Sequence, residues 1–251
     1  MNTHRKFLKP LLVMLMGATL TQAASASDWS SSNIQILRGT DYQLGEAERT
    51  IMTFEHSNRW SHGDNYFFVD ITEPNGEGTT HYAEFAPRLS LSKTLGQNVS
   101  LGFIKDTFLA ASFEMGNGSH ANLFGLGVSL DISGFNYANG NFLRRQSYRD
   151  WVSEDTHSGW QLTLNWGIPF TIQDSRWVFE GFADYAFSEG GGTSPKSDNM
   201  ITAPRLLLDV GDLWGAQNHL FAGIEYQIWR NKFGVDGVDE DVPQMMLKWV
   251  F

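Results

Sequence analysis

Apolar and polar residues alternate along most of this chain, and the alternation predicts strands rather than helices. In Trp160–Ile168, the residues Trp160, Leu162, Leu164, Trp166 and Ile168 share one face, while Gln161, Thr163, Asn165 and Gly167 share the other. Ala83–Leu91, Phe124–Ile132 and Leu220–Ile228 repeat the pattern, and so do the last residues, where Met245, Leu247, Trp249 and Phe251 fall on one face. Aromatic rings at segment ends with aliphatic side chains between them suit a stripe that crosses a bilayer and both of its interfaces. Twelve such segments are expected, at 33–42, 48–59, 64–72, 79–92, 98–114, 121–132, 135–148, 157–169, 174–187, 199–210, 217–230 and 241–251. An even count of roughly ten-residue strands predicts an all-β fold: a transmembrane antiparallel β-barrel whose last strand closes against its first.

The start of the chain predicts how it reaches a membrane. Arg5, Lys6 and Lys9 precede an apolar run from Leu11 to Leu20, and Ala24-Ser25-Ala26 has the small-x-small form of a cleavage site. That run is shorter than the roughly 20 residues a spanning helix requires. Residues 1–26 are therefore expected to be a removed signal peptide and residues 27–251 one barrel domain. With no second long apolar run, a closed barrel is the route into lipid that leaves no backbone group unsatisfied. The expected location is the outer membrane of a Gram-negative bacterium. Expected partners are outer-membrane lipid, lipopolysaccharide and, through the carboxy-terminal strand, the barrel-assembly machinery.

Composition narrows the function. The chain has no Cys, which excludes disulfide scaffolds, thiolate metal sites and Cys nucleophiles. The leader holds three of the 18 Lys/Arg and none of the 28 Asp/Glu, so the remainder carries 15 basic residues against 28 acidic. Such a surface repels phosphate backbones, and no nucleic acid is expected as a partner. Neither a G-x-S-x-G elbow nor an H-E-x-x-H helix occurs, and His56 adjoins Ser57 on a strand, where neighbours point to opposite faces. Catalysis is not expected. No cofactor or metal is implied; Asp236, Asp239, Glu240 and Asp241 lack EF-hand spacing.

If the apolar faces meet lipid, the opposite faces line a lumen. They place Thr53, Glu55, Ser57 and Arg59, then Tyr66, Phe68 and Asp70, then Glu84, Arg88 and Ser90 inside. Glu180, Phe182, Asp184, Phe221, Glu225, Gln227, Trp229 and Lys248 follow. Rings beside hydrogen-bonding groups suit a flat, polar, uncharged solute, stacked on its faces and bonded at its edges. Glu84 and Arg88, four apart on one strand, have a structural alternative as a pair that holds the lumen's shape.

Glu84-Phe85-Ala86-Pro87-Arg88-Leu89-Ser90-Leu91 resembles the E-x-x-P-R-x-S-I/L strand of the nucleoside-specific Tsx channels and the related OmpK-like outer-membrane proteins. Tyr66-Phe67-Phe68-Val69-Asp70 is similar to that family's Y-x-Y-x-D strand, and Val99 to Asp106, Phe124 to Gly127 and Gly181 to Asp184 resemble further family segments in the same order. The resemblance implies a monomeric twelve-stranded barrel with a narrow pore for facilitated diffusion of nucleosides. It carries substrate-binding roles to Tyr66, Phe68, Asp70, Glu84, Arg88, Phe182 and Asp184. Phe68 stands where the family commonly has Tyr, which removes a hydroxyl. The alternative reading is a sealed barrel whose surface loops bind a partner, for example a phage.

Overall fold

The computed structural model describes residues 27–73, 78–149, 156–193 and 196–251. The expected leader, residues 1–26, lies outside the described residues. The strands are β1 (Ser27–Gly39), β2 (Arg49–Trp60), β3 (Gly63–Thr72), β4 (Thr80–Ser90), β5 (Ile104–Gly116), β6 (Ser119–Leu130) and β7 (Tyr137–Arg149). They continue with β8 (Thr156–Ile172), β9 (Ser175–Gly191), β10 (Asn199–Thr202), β11 (Arg205–Asp209), β12 (Leu220–Arg230) and β13 (Glu240–Val250). Neighbours pair antiparallel, and β1 closes on β13 from Asn33 opposite Val250 to Gly39 opposite Gln244.

β10 and β11 both lie between β9 and β12, so they are one strand position interrupted. Pro204, which has no N–H to give to a ladder, sits at the break. The Ala203 N–H still bonds the Phe182 carbonyl (3.1 Å), and the Tyr226 N–H bonds the Pro204 carbonyl (2.9 Å). Thirteen strands thus fill twelve positions of a closed antiparallel barrel.

Besides the break at Pro204, and β1 running from Ser27 to Gly39 where 33–42 was expected, two more strands differ from those expected. The segment expected at 79–92 ends at Ser90, whose Oγ accepts the Lys93 N–H at 3.1 Å and so caps a short helix, α1 (Leu91–Leu95). Gly96 closes that helix at φ 64°. The segment expected at 98–114 begins at Ile104, after Gly102 turns the chain at φ 59°. Long connections occur at both ends of the barrel. At the end carrying both termini, α1 lengthens one connection, and a 3-10 helix at Val210–Trp214, capped by Asp209, lengthens another.

The faces follow the alternation. Met245, Leu247 and Trp249 on β13, and Trp160, Leu162 and Leu164 on β8, are exposed on the outer wall. Their neighbours in sequence face the interior, where Gln35, Gln244, Gln161 and Glu225 are buried. Two apolar clusters pack there: Leu37, Leu207, Phe221 and Met246 beside the closing seam, and Ala110, Ala121, Leu123 and Leu143 on β5–β7. A pleat that sends every second side chain inward produces both sets from one period.

Candidate functional site

Every residue proposed for the lumen from sequence lies on an inward face, but they divide among separate sectors. Tyr66, Phe68 and Asp70 alternate along β3, and Glu84 and Arg88 stand beside them on β4, with Phe68 opposite Glu84 and Asp64 opposite Arg88. The Tyr66 and Phe68 rings lie 5.8 Å apart between centroids, and Phe68 lies 5.7 Å from Tyr82. Three rings therefore form a continuous rail. Tyr82 was missed from sequence although it shares the face of Glu84 two residues on; its alternation was the available signal. Phe182 and Asp184 lie apart from this rail on β9.

The charges of the β3–β4 sector bond to the wall. Arg88 holds Asp64 with two parallel hydrogen bonds, Nε to Oδ1 at 2.7 Å and Nη2 to Oδ2 at 2.8 Å. Its guanidinium lies 4.3 Å above the Phe108 ring, and Nη2 reaches Asn139 Oδ1 at 3.2 Å. Glu84 accepts from Ser112 Oγ at 2.7 Å, Asp70 from Thr53 and Asp184 from Thr163. Glu84 and Arg88 thus do not bond each other. Four strand residues span roughly 13 Å, whereas a register partner on the next strand is within roughly 5 Å.

A second sector, around β9 to β13, β1 and β2, behaves differently. Arg205 Nε bonds Glu225 Oε2 at 2.6 Å, and its Nη1 reaches Glu55 Oε1 at 3.1 Å and Glu180 Oε1 at 3.7 Å. Lys248 Nζ donates to Glu180 at 2.6 Å. Gln244 donates to Glu225 and Asn33 to Glu55, which fixes both carboxylates. Glu55, Glu180, Glu225 and Lys248 were expected inside; Arg205 was not singled out. A third group joins Arg145 to Glu114 at 2.7 Å and to Glu189 at 3.5 Å.

Loops opposite the termini also turn inward. Lys232 is buried, bonds Glu240 at 2.6 Å and lies 4.6 Å from the Trp229 ring centroid. Burial pushes its ammonium below the usual lysine range, while Glu240 pulls it back up. Lys196 donates to Ser147 and Glu189. Among the described residues, no group of His, Asp and Glu is arranged to hold a metal.

The arrangement is a barrel interior lined by fixed charges and a rail of rings. The chain matches the family described as "Nucleoside-specific channel-forming protein, Tsx" over residues 24–249. It is similar to outer membrane protein OmpK of Vibrio parahaemolyticus serotype O3:K6, at 23% identity over 208 residues, covering 71% of this chain and 76% of that protein. A second Vibrio parahaemolyticus OmpK sequence is 24% identical over 140 residues, 49% of this chain and 50% of that one. Among solved structures, the KdgM porin aligns with a TM-score of 0.49 and 11% identity, covering 87% of this chain and 99% of that one.

Proposed function

The chain belongs to the Tsx family of nucleoside-specific channel-forming proteins, and from that premise we propose that it carries nucleosides, or similarly small, flat, polar solutes, by facilitated diffusion. It is an outer-membrane channel and not an enzyme. The finer reading is supported above all by the rail of Tyr66, Phe68 and Tyr82, with centroid spacings of 5.8 and 5.7 Å. Such rings offer successive faces on which a base stacks, each contributing roughly 1–3 kcal/mol. Asp70, Glu84 and Arg88 present acceptors and donors along the rail, and Phe182 and Asp184 present a ring and an acceptor on β9. Several shallow wells, rather than one deep site, let a solute both enter and leave.

In this reading the leader at 1–26 is removed, the end with both termini faces the periplasm, and the loops holding Lys196 and Lys232 face outward. The protein acts as a monomer, its wall meets lipid and lipopolysaccharide, and its last strand engages the barrel-assembly machinery. The interior ion pairs that reach across the barrel favour a second reading, a sealed barrel whose loops bind a partner.

The deciding experiment is single-channel conductance of the refolded protein in a planar bilayer, titrated with adenosine and thymidine and with a sugar as control. Saturable block by nucleosides and not by the sugar is the expected result. Conductance without block would overturn the nucleoside assignment, and absence of conductance would favour the sealed barrel.

A further inference from the structure

We infer that Arg205, bonded to Glu55 across the interior, is the crossbar that forms the constriction of this channel and sets its ion selectivity. The argument starts from ring position. β2 and β11 are separated on the closed sheet by β1, β13 and β12. Four strand spacings amount to roughly 19 Å along the wall. An Arg and a Glu side chain laid flat on the wall do not cover that distance, yet Arg205 Nη1 lies 3.1 Å from Glu55 Oε1. The contact is therefore a chord through the interior. Lys248 and Glu180 form a second chord: β13 and β9 are separated by β12 and the β10/β11 position, and the ions meet at 2.6 Å.

The two chords join, because Arg205 also lies 3.7 Å from Glu180. Glu55, Arg205, Glu180 and Lys248 thus make one line of alternating charge from β2 to β13. Glu55 is pinned at one end by Asn33 (3.1 Å), and Arg205 is pinned through Glu225, which it bonds at 2.6 Å and which accepts from Gln244 (2.8 Å). The line stands away from the wall. β7 is on the far side of the ring from β1 and β13, yet the Tyr137 hydroxyl lies within electrostatic reach of Glu180, Glu55 and Arg205. From β3, the Tyr66 hydroxyl faces Glu55. Tyr137 and Tyr66 are 43% and 37% exposed, so both of these inward rings border open space. Tyr137 is held over Gly167, where an added Cβ would meet ring carbons at 2.3 Å.

A solute or ion that passes must go between the bar and the rings. Counting Glu225, which Arg205 also bonds, the carboxylates of Glu55, Glu180 and Glu225 stand against the two cations Arg205 and Lys248 and leave the bar with a net negative charge, which favours cations over anions and disfavours phosphorylated solutes. This inference rests on the protein being a channel and not on which solute it carries.

The test is conductance and reversal potential of the refolded full chain in a planar bilayer under a potassium chloride gradient, comparing wild type with Arg205→Gln, Glu55→Gln and the double variant. Arg205→Gln should raise both conductance and the potassium-to-chloride permeability ratio by about twofold or more, because the obstruction shrinks and its carboxylates lose their cation. Glu55→Gln should move the permeability ratio the opposite way. Opposite signs identify a charge on the path, which loosened packing does not produce. If both variants refold and conduct with wild-type selectivity, the inference is overturned. Should Arg205→Gln not refold, Glu55→Gln decides alone, with unchanged selectivity overturning it. Should wild type not conduct, conductance by the double variant supports the bar as the seal, and continued silence overturns it. Nucleoside block is read separately, so loss of the solute assignment leaves this result intact.

Discussion

The β3–β4 sector and the sector around Arg205 contain the same residue types and use them in opposite ways. In the first, Arg88 bonds Asp64, its register partner on the neighbouring strand, and its guanidinium lies against Phe108. Apart from the single 3.2 Å bond from Arg88 to the neutral Asn139 on β7, the charges pair with adjacent strands and leave the faces of Tyr66, Phe68 and Tyr82 to the interior. In the second, Arg205 leaves its strand to reach Glu55 four positions away, and Lys248 leaves its own to reach Glu180. The difference teaches that an inward charge has two outcomes in a barrel of this size. Bonded to a neighbour it becomes part of the lining; bonded across the ring it becomes an obstruction.

The largest break in that comparison should come from Arg205→Met. It leaves Glu55 and Glu225 as largely buried carboxylates without their cation, and a loss of about 3–5 kcal/mol is expected on urea unfolding from lipid vesicles. Next is a control on the outer wall. Leu247→Arg, on an exposed apolar face, should cost about 2–4 kcal/mol in the same assay if that position lies near the bilayer centre. Arg88→Gln sharpens the contrast with Arg205. Asp64 keeps access to solvent, with its side chain 26% exposed, so a smaller loss, about 1.5–3 kcal/mol, should follow from the two charged hydrogen bonds. Equal losses for Arg88 and Arg205 would remove the distinction between lining and bar. The smallest effect on the fold is expected from Tyr66→Ala or Phe68→Ala. Each should leave unfolding near wild type while weakening nucleoside block by about tenfold, the equivalent of one stacking contact. Block and conductance like wild type would remove the rail from the solute path.

Much of this was legible beforehand because strand geometry is local. The faces of Trp160–Ile168, Leu220–Ile228 and Met245–Phe251 follow from a period of two that needs no knowledge of the partner strand. The strand ends were less legible. Ser90 reads equally well as a strand residue and as a helix cap, and only the chain's turn at Gly96 and Gly102 separates the two. The segment at 199–210 was expected as one strand, and its interruption at Pro204 shows only in the structure, where hydrogen bonds to β9 and β12 bridge it.

The sequence by itself determined where most strands lie and which of their side chains face in, since alternation is a short-range property. Tertiary structure alone decided which inward charge meets which. Glu55 and Arg205 lie 150 residues apart, and Glu84 meets Ser112 rather than Arg88. Those choices depend on ring closure and register, which bring together residues that no local period relates.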